Sequence, residues 1–518
     1  MNGQLLLGRL QDPNPILVRE LRSTLRSPLF RRTVTAMVGV VGLITLASAA
    51  LAAEGQMLPA EVGKLVLQVF FSVAFGLLCL VAPAQGATAV SGEVEQGTLE
   101  SLLLTGLGPE DIVGGKVAAL VAANGLVLIA LLPVVSVAFL FGGVSPVHVL
   151  VGYLALGLVL VPAVALGVAL SALLRRTRLA LLAALGTFPA FALLLSSTTG
   201  IVGAALANPW GLSMVGPFWF VDAFVARPGA PETWLFLALL PTLASGLATW
   251  LCLVGARTAL TPSTEDRSTP FKGWAVAAGL SAVGAMAGVA AAFDKGREAG
   301  AFHLVCVVLL SPLFIGVSLV LLGEPRAAPR RAGPSGRPLG RALRRAFGPG
   351  LAGTTRFLWT YLPALAALLF AVPSAVRRLT YPGLSEHGEV DLAVGASLLA
   401  TSALALAALG LGAGVFRRLL GLRPAPARAL VLVTGVVLTV GALFATLLVD
   451  LDALDELDDR LSPVLAVSPL LPAVVTVTAL EAGLAESLPA YLAAVLGYLL
   501  VGLFGSDAAL SRPGGPRR

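Results

Sequence analysis

Charge is what this 518-residue chain has least of. Only 12% of its residues are Asp, Glu, Lys or Arg, about half the share usual in a soluble globular domain. With 57% hydrophobic residues, that scarcity excludes an ordinary water-soluble fold. Lysine is nearly missing: four of the 35 bases are lysine and 31 are arginine, a bias that points to a GC-rich bacterial genome. Cysteine is scarce too. Cys79, Cys252 and Cys306 each sit alone in an apolar run, which excludes a disulfide framework or a metal-type spacing. The three histidines, His148, His303 and His387, map to the edges of apolar runs or to the loops between them, so no buried His–carboxylate set is on hand for hydrolysis. A phosphate-cradling G-x-x-x-x-G-K-[ST] loop is also missing. Gly115-Lys116 has no glycine five residues earlier and no Ser or Thr after it, so ATP is not expected to bind this chain.

What the chain does have is long, unbroken apolar runs. Runs of about 20 residues are read as membrane-spanning helices, whereas barrel strands are half that length and alternate. The reading is an all-α polytopic membrane protein of about twelve transmembrane helices, at 33–53, 64–83, 117–141, 148–173, 179–199, 233–255, 273–293, 302–322, 354–373, 391–416, 429–449 and 488–505. The N-terminus carries no evident cleavable signal peptide. With that end placed in the cytoplasm, 28 of the 35 basic residues fall in inner segments and 17 of the 28 acids fall outside. This positive-inside bias places both termini in the cytoplasm and accounts for the net charge of +7 without nucleic acid. The localisation implied is a bacterial inner membrane, crossed many times.

The spans repeat a rhythm. In each half a pair of spans is followed by a long inner loop, two spans, a short arginine turn, a span, a long outer segment and a last span. The expectation is two six-helix pseudo-repeats, 33–256 and 273–505, joined by a cytoplasmic linker at 257–272 and ending in a cytoplasmic tail at 506–518. The inner loop of the second half, 323–353, is rich in Pro, Gly and Arg and reads as a basic flexible linker. The acidic run at 450–459 lacks the glycine and ligand spacing of a calcium loop, so no metal is expected.

Two inner segments carry more pattern. In residues 1–32, Asn14 can cap a helix and Pro15 suits its first position. Leu17, Leu21 and Leu25 then line one face, while Arg19, Arg22 and Arg26 line a neighbouring one. Such a helix lies flat in the membrane interface with its guanidinium groups at the lipid phosphates. The second segment, SGEVEQGTLESLLLTGLGPEDIVGGK at 91–116, lies between spans two and three. Its polar start leads into a short helix from Thr98, in which Leu99, Leu102 and Leu103 share a face opposite Thr98, Ser101 and Thr105. Gly106 and Gly108 stop it, and Pro109 opens the next helix with Glu110 and Asp111 in its first turn.

NPILVREL at 14–21, E-x-E-x-G-T-L-E-S-L-L-L-T from Glu93 to Thr105, and PEDIVGGK together resemble the permease subunit of type-two ABC exporters, over about residues 12–260. The resemblance implies a membrane path served by a separate ABC ATPase subunit, which carries the ATP and Mg. It also implies a coupling helix at 93–106, with Glu93, Glu95, Gly97, Thr98, Glu100, Leu102, Leu103 and Thr105 meeting the ATPase. Asn14, Pro15, Arg19, Glu20, Arg22 and Arg26 would lie in the interfacial helix beside it. The three acids Glu93, Glu95 and Glu100 either face bases on the partner or pin the segment to Arg19 and Arg22. No cofactor is expected in this chain, and it is not expected to be an enzyme. Besides the ATPase and membrane lipid, a second copy or another permease subunit is a candidate partner. An ion-coupled carrier is the main rival, but the span centres hold no ionisable group. A non-transporting assembly protein is the other. The substrate is not legible.

Overall fold

The computed structural model describes residues 14–54, 58–104, 106–189, 218–231, 233–262, 265–292, 347–380, 387–420 and 488–510, with a few isolated positions between them. The chain divides into two compact units, Met1–Thr261 and Pro262–Arg518.

Five of the helices described in the first unit begin at proline. Those at α1 (Pro15–Arg26), α2 (Pro28–Glu54) and α3 (Pro59–Thr88) do so, as do α6 (Pro109–Ala130) and α9 (Pro146–Leu174). Proline lacks the N–H that a first turn leaves unpaired, and its fixed φ already suits the helix. Between α3 and α6 lie two single-turn helices, α4 (Ser91–Glu95) and α5 (Leu99–Leu103). After α6 the chain continues through α7 (Leu132–Val135) and α8 (Ala138–Phe141). Beyond α9 come α10 (177–189), α11 (Trp219–Ala226) and a π-helical turn, Thr233–Leu239, that runs into α12 (Leu240–Leu260).

The core of this unit is the crossing of α3 and α9, and α9 also packs on α12. Glycine sets the crossing distance. A Cβ on Gly86 would lie 2.6 Å from the Val164 carbonyl oxygen, and one on Gly167 would lie 2.3 Å from that of Pro83. Small residues let backbones approach where lipid offers no hydrophobic drive between helices. The second unit comprises α13 (Thr269–Ala292), α14 (Leu351–Thr380), α15 (His387–Gly410) with a π-helical continuation Leu411–Leu419, and α16 (Leu488–Leu510). It uses the same device: Gly410 on α15 faces Gly502 and Gly505 on α16.

Among the described residues, eight helices are long and apolar enough to cross a membrane, and Tyr491–Ser506 adds a shorter apolar one. The chain is therefore a multi-pass, helical membrane protein. Of the twelve expected spans, 302–322 and 429–449 lie almost wholly outside the described residues, and 179–199 is described only to residue 189. The expected span 117–141 lies within the candidate span Pro109–Phe141, but it is not a single rod, because the helix stops at Leu131 and resumes as two short pieces. Pro133 falls at this break, where its missing N–H and its ring interrupt the ladder.

Candidate functional site

The segment Ser91–Gly106 folds at one end of the first unit, and three other stretches meet it there: α1, the start of α6, and the Arg175–Arg178 turn. α1 is seated by its first residues. The Asn14 carboxamide oxygen accepts the Ile16 N–H at 2.9 Å, and its nitrogen donates to the Asp111 carbonyl at 2.8 Å. One side chain thus caps α1 and ties it to α6. Ile16 is buried against Gly115, where a Cβ would stand 2.9 Å from the isoleucine Cβ. Gly115 is the dent that lets α1 lie against α6.

The E-x-E-x-G-T-L pattern has a local explanation at almost every position. Gly97 has φ +70°, a left-handed conformation open to glycine at little cost. It ends α4 in a Schellman turn: Thr98 N–H donates to the Glu93 carbonyl at 2.9 Å and Gly97 N–H to that of Val94 at 3.1 Å. The Thr98 hydroxyl also reaches the Glu93 carbonyl, at 3.3 Å. Glu95 turns to the start of α10. Its carboxylate accepts the Thr177 N–H and the Thr177 hydroxyl, both at 2.8 Å, satisfying an orphan donor at a helix N-terminus. Below it, the Ser171 hydroxyl accepts the N–H groups of Val90 and Ser91 at 2.9 and 2.7 Å, fixing the turn between α3 and α4 to the end of α9.

Glu93 turns instead into a cluster of four charges. Its Oε1 accepts from the Lys116 Nζ at 2.8 Å and from the Arg19 Nη2 at 3.3 Å. Glu20 Oε1 accepts from the same two groups, at 3.2 Å from Lys116 and 2.9 Å from Arg19. Three helices, α1, α4 and α6, meet in this neutral square. The Lys116 side chain is only 3% exposed. Burial raises the Glu20 pKa, but the Lys116 ammonium and the Arg19 guanidinium outweigh it and hold the carboxyl below its usual value. The hydrogen bond to Glu20 raises that of Arg19 in turn.

The remaining residues of the segment divide between the unit and its outside. Leu99 and Leu102 are buried, each 8% exposed, while Leu103 is 37% and Leu104 86% exposed. Two leucines of the expected face thus hold α5 onto the unit, and the outward apolar edge is Leu103 with Leu104. Glu100 and Ser101 are exposed beside that edge. The three acids also part company: Glu93 is pinned by Arg19 and Lys116, Glu95 by Thr177, and Glu100 faces outward. Arg22 and Arg26 are exposed on α1 and make no contact with these acids. Thr105 lies outside the described residues. Lys116, Thr177, Ser171 and Gly115 were not among the expected site residues. A lysine directly ahead of the apolar run 117–141 was the one signal that could have drawn notice to Lys116.

The arrangement is a folded cap of short helices at the end of a membrane-spanning bundle, held by ion pairs and helix-end hydrogen bonds, with one apolar edge presented outward. It holds no nucleophile–base pair, and no group of three metal-ligating side chains occurs among the described residues. Residues 15–228 match the family described as ABC-2 family transporter protein. α1 and the cap, with Glu20, Lys116, Ser171 and Thr177, fall within the match, which ends before the second unit begins. Over this segment the chain resembles an ABC transporter permease, a membrane component of transport. No curated protein and no solved structure matches the chain.

Proposed function

We propose that the chain is the membrane-spanning permease subunit of an ATP-driven exporter, and that a separate ABC ATPase docks on the outward edge of α5. The end of the first unit that carries α1 and the cap is then cytoplasmic. The observation that carries this reading is the pairing of the family match over 15–228 with a cap whose exposed leucines project beyond the bundle. A solvent-facing Leu104 beside Leu103, on a helix anchored by Leu99 and Leu102, is an apolar surface held rigid for a partner. Each leucine contributes roughly 1.5–3 kcal/mol when buried, and an Asp in its place adds a charge to desolvate. The double variant Leu103→Asp/Leu104→Asp should fold normally and lose the ATPase in co-purification from the native membrane. Retention of the ATPase at wild-type affinity by the folded variant would remove this docking site from the account.

A further inference from the structure

The charge cluster has features that a purely structural clasp does not need. Lys116 is shared between carboxylates on two different helices, Glu20 of α1 and Glu93 of α4, at 3.2 and 2.8 Å. Arg19 spans the same two carboxylates with a single nitrogen, Nη2. Both bases therefore crowd onto Glu93 Oε1, while Glu93 Oε2 is buried and accepts no hydrogen bond. A buried acceptor left unused is costly, and here it lies on the carboxylate that already takes both cations. A small slide of α4 would let Lys116 or Arg19 exchange one oxygen for the other without leaving the carboxylate. A small slide of α1 would move Lys116 from Glu93 toward Glu20. Lys116 thus stays paired whether it is drawn toward Glu93 or toward Glu20, which is what a two-state element requires.

We infer that Lys116 is a positioning residue that passes movement of the α4–α5 cap to α1, and so to the first apolar helix α2, by exchanging between Glu93 and Glu20. The inference rests on the docking proposed above, because the partner's nucleotide state is what moves the cap. It assigns no stabilising role to the square as a whole. Replacing a complete buried ionic group by neutral residues of similar shape is often neutral for stability, whereas removing one member leaves an uncompensated charge.

That difference defines the test. The full chain is purified with its co-purifying ATPase, Cys79, Cys252 and Cys306 are replaced by alanine, and spin labels are attached at Ser23→Cys on α1 and Thr88→Cys at the end of α3. Both positions are exposed. The distance is read by electron paramagnetic resonance without nucleotide and with ATP trapped by vanadate. The wild-type pair should shift its distance on trapping. The neutral variant Arg19→Gln/Glu20→Gln/Glu93→Gln/Lys116→Met should keep the wild-type unfolding midpoint and still capture the ATPase, yet lose the shift. Lys116→Arg, which keeps the charge, should retain it. An equal shift in the neutral variant, or no shift in the wild type with ATPase bound, overturns the role of Lys116 and leaves the docking intact. Loss of ATPase capture in the folded neutral variant also overturns it, because the square would then only shape the docking surface. A wild-type chain that purifies with no ATPase refutes the proposed function itself.

Discussion

Two buried lysines, one in each unit, stand near the start of an apolar helix, and the partners described for them differ in kind. Lys116 on α6 meets the carboxylates of Glu20 and Glu93, which arrive on separate helices. Lys272, the fourth residue of α13, donates to the carbonyl oxygens of Phe347 and Gly348 at 3.2 and 2.9 Å and lies 6.0 Å from the Phe357 ring centroid. Carbonyls belong to the backbone just ahead of α14 and cannot be exchanged one for another without unfolding the turn. Carboxylates on different helices can. The first arrangement is suited to relaying movement, the second to holding a chain end in place. The match to transporters of the ABC-2 family covers only the unit with the first arrangement.

The comparison breaks first at the lysines themselves. Lys116→Ala leaves Glu20 and Glu93 side by side, with only the exposed Arg19 to balance them, and should lower the stability of the first unit by about 3–5 kcal/mol. Lys272→Ala leaves carbonyls short of a donor and should cost about 1–3 kcal/mol. Detergent-resolved denaturation of each variant measures both, and equal losses would erase the distinction. Next in size is the glycine crossing that the two units share. Gly167→Ala places a Cβ against the Pro83 carbonyl, and Gly410→Ala places one against that of Val501. Both should destabilise by about 1–3 kcal/mol through forced separation of the helices, read as a lower thermal midpoint. A midpoint unchanged in either would mean that its crossing is not close-packed. Gly97→Ala should cost about 1 kcal/mol, because an alanine resists the left-handed backbone that ends α4. Gly92→Ala, at the second position of α4 and in open space, is the control and should not destabilise.

The smallest effect is that of acid. The Glu20 carboxyl is held below its usual value of 4.5, so its pairing is at full strength above that value. It weakens only as pH falls through the lower folded value. Protection of α1 amides from hydrogen exchange should thus be flat from neutral pH down to about 5, after correction for intrinsic exchange, and fall below 4.5. A loss already complete near neutrality would contradict the ion-paired assignment.

Much of the fold is visible in the chain itself, and the reasons are local. Asn14-Pro15 and Pro109 announce helix starts, Gly97 announces a left-handed turn, and the apolar runs announce spans. What was hidden is long-range. Glu95 and Thr177 are 82 positions apart, and Arg19 and Glu93 are 74 apart. No spacing within a helix shows which of Glu93, Glu95 and Glu100 turns inward. The leucines of α5 show the same limit. LESLLL offers apolar residues on every side, so periodicity alone cannot tell the side packed on the unit from the side left outward. The break at Leu131 was written in Pro133, but a run of 25 apolar residues masked it.

The account turns on which leucine of α5 meets the ATPase. The most direct measurement places a photo-crosslinking phenylalanine at residue 104 or, separately, at residue 102 in the full chain, and irradiates native membranes. The account predicts a cross-link to a nucleotide-binding protein from position 104 and none from position 102, which faces the core of the unit. A cross-link from 102 as strong as from 104, or none from 104 while the protein is folded and active, would contradict it.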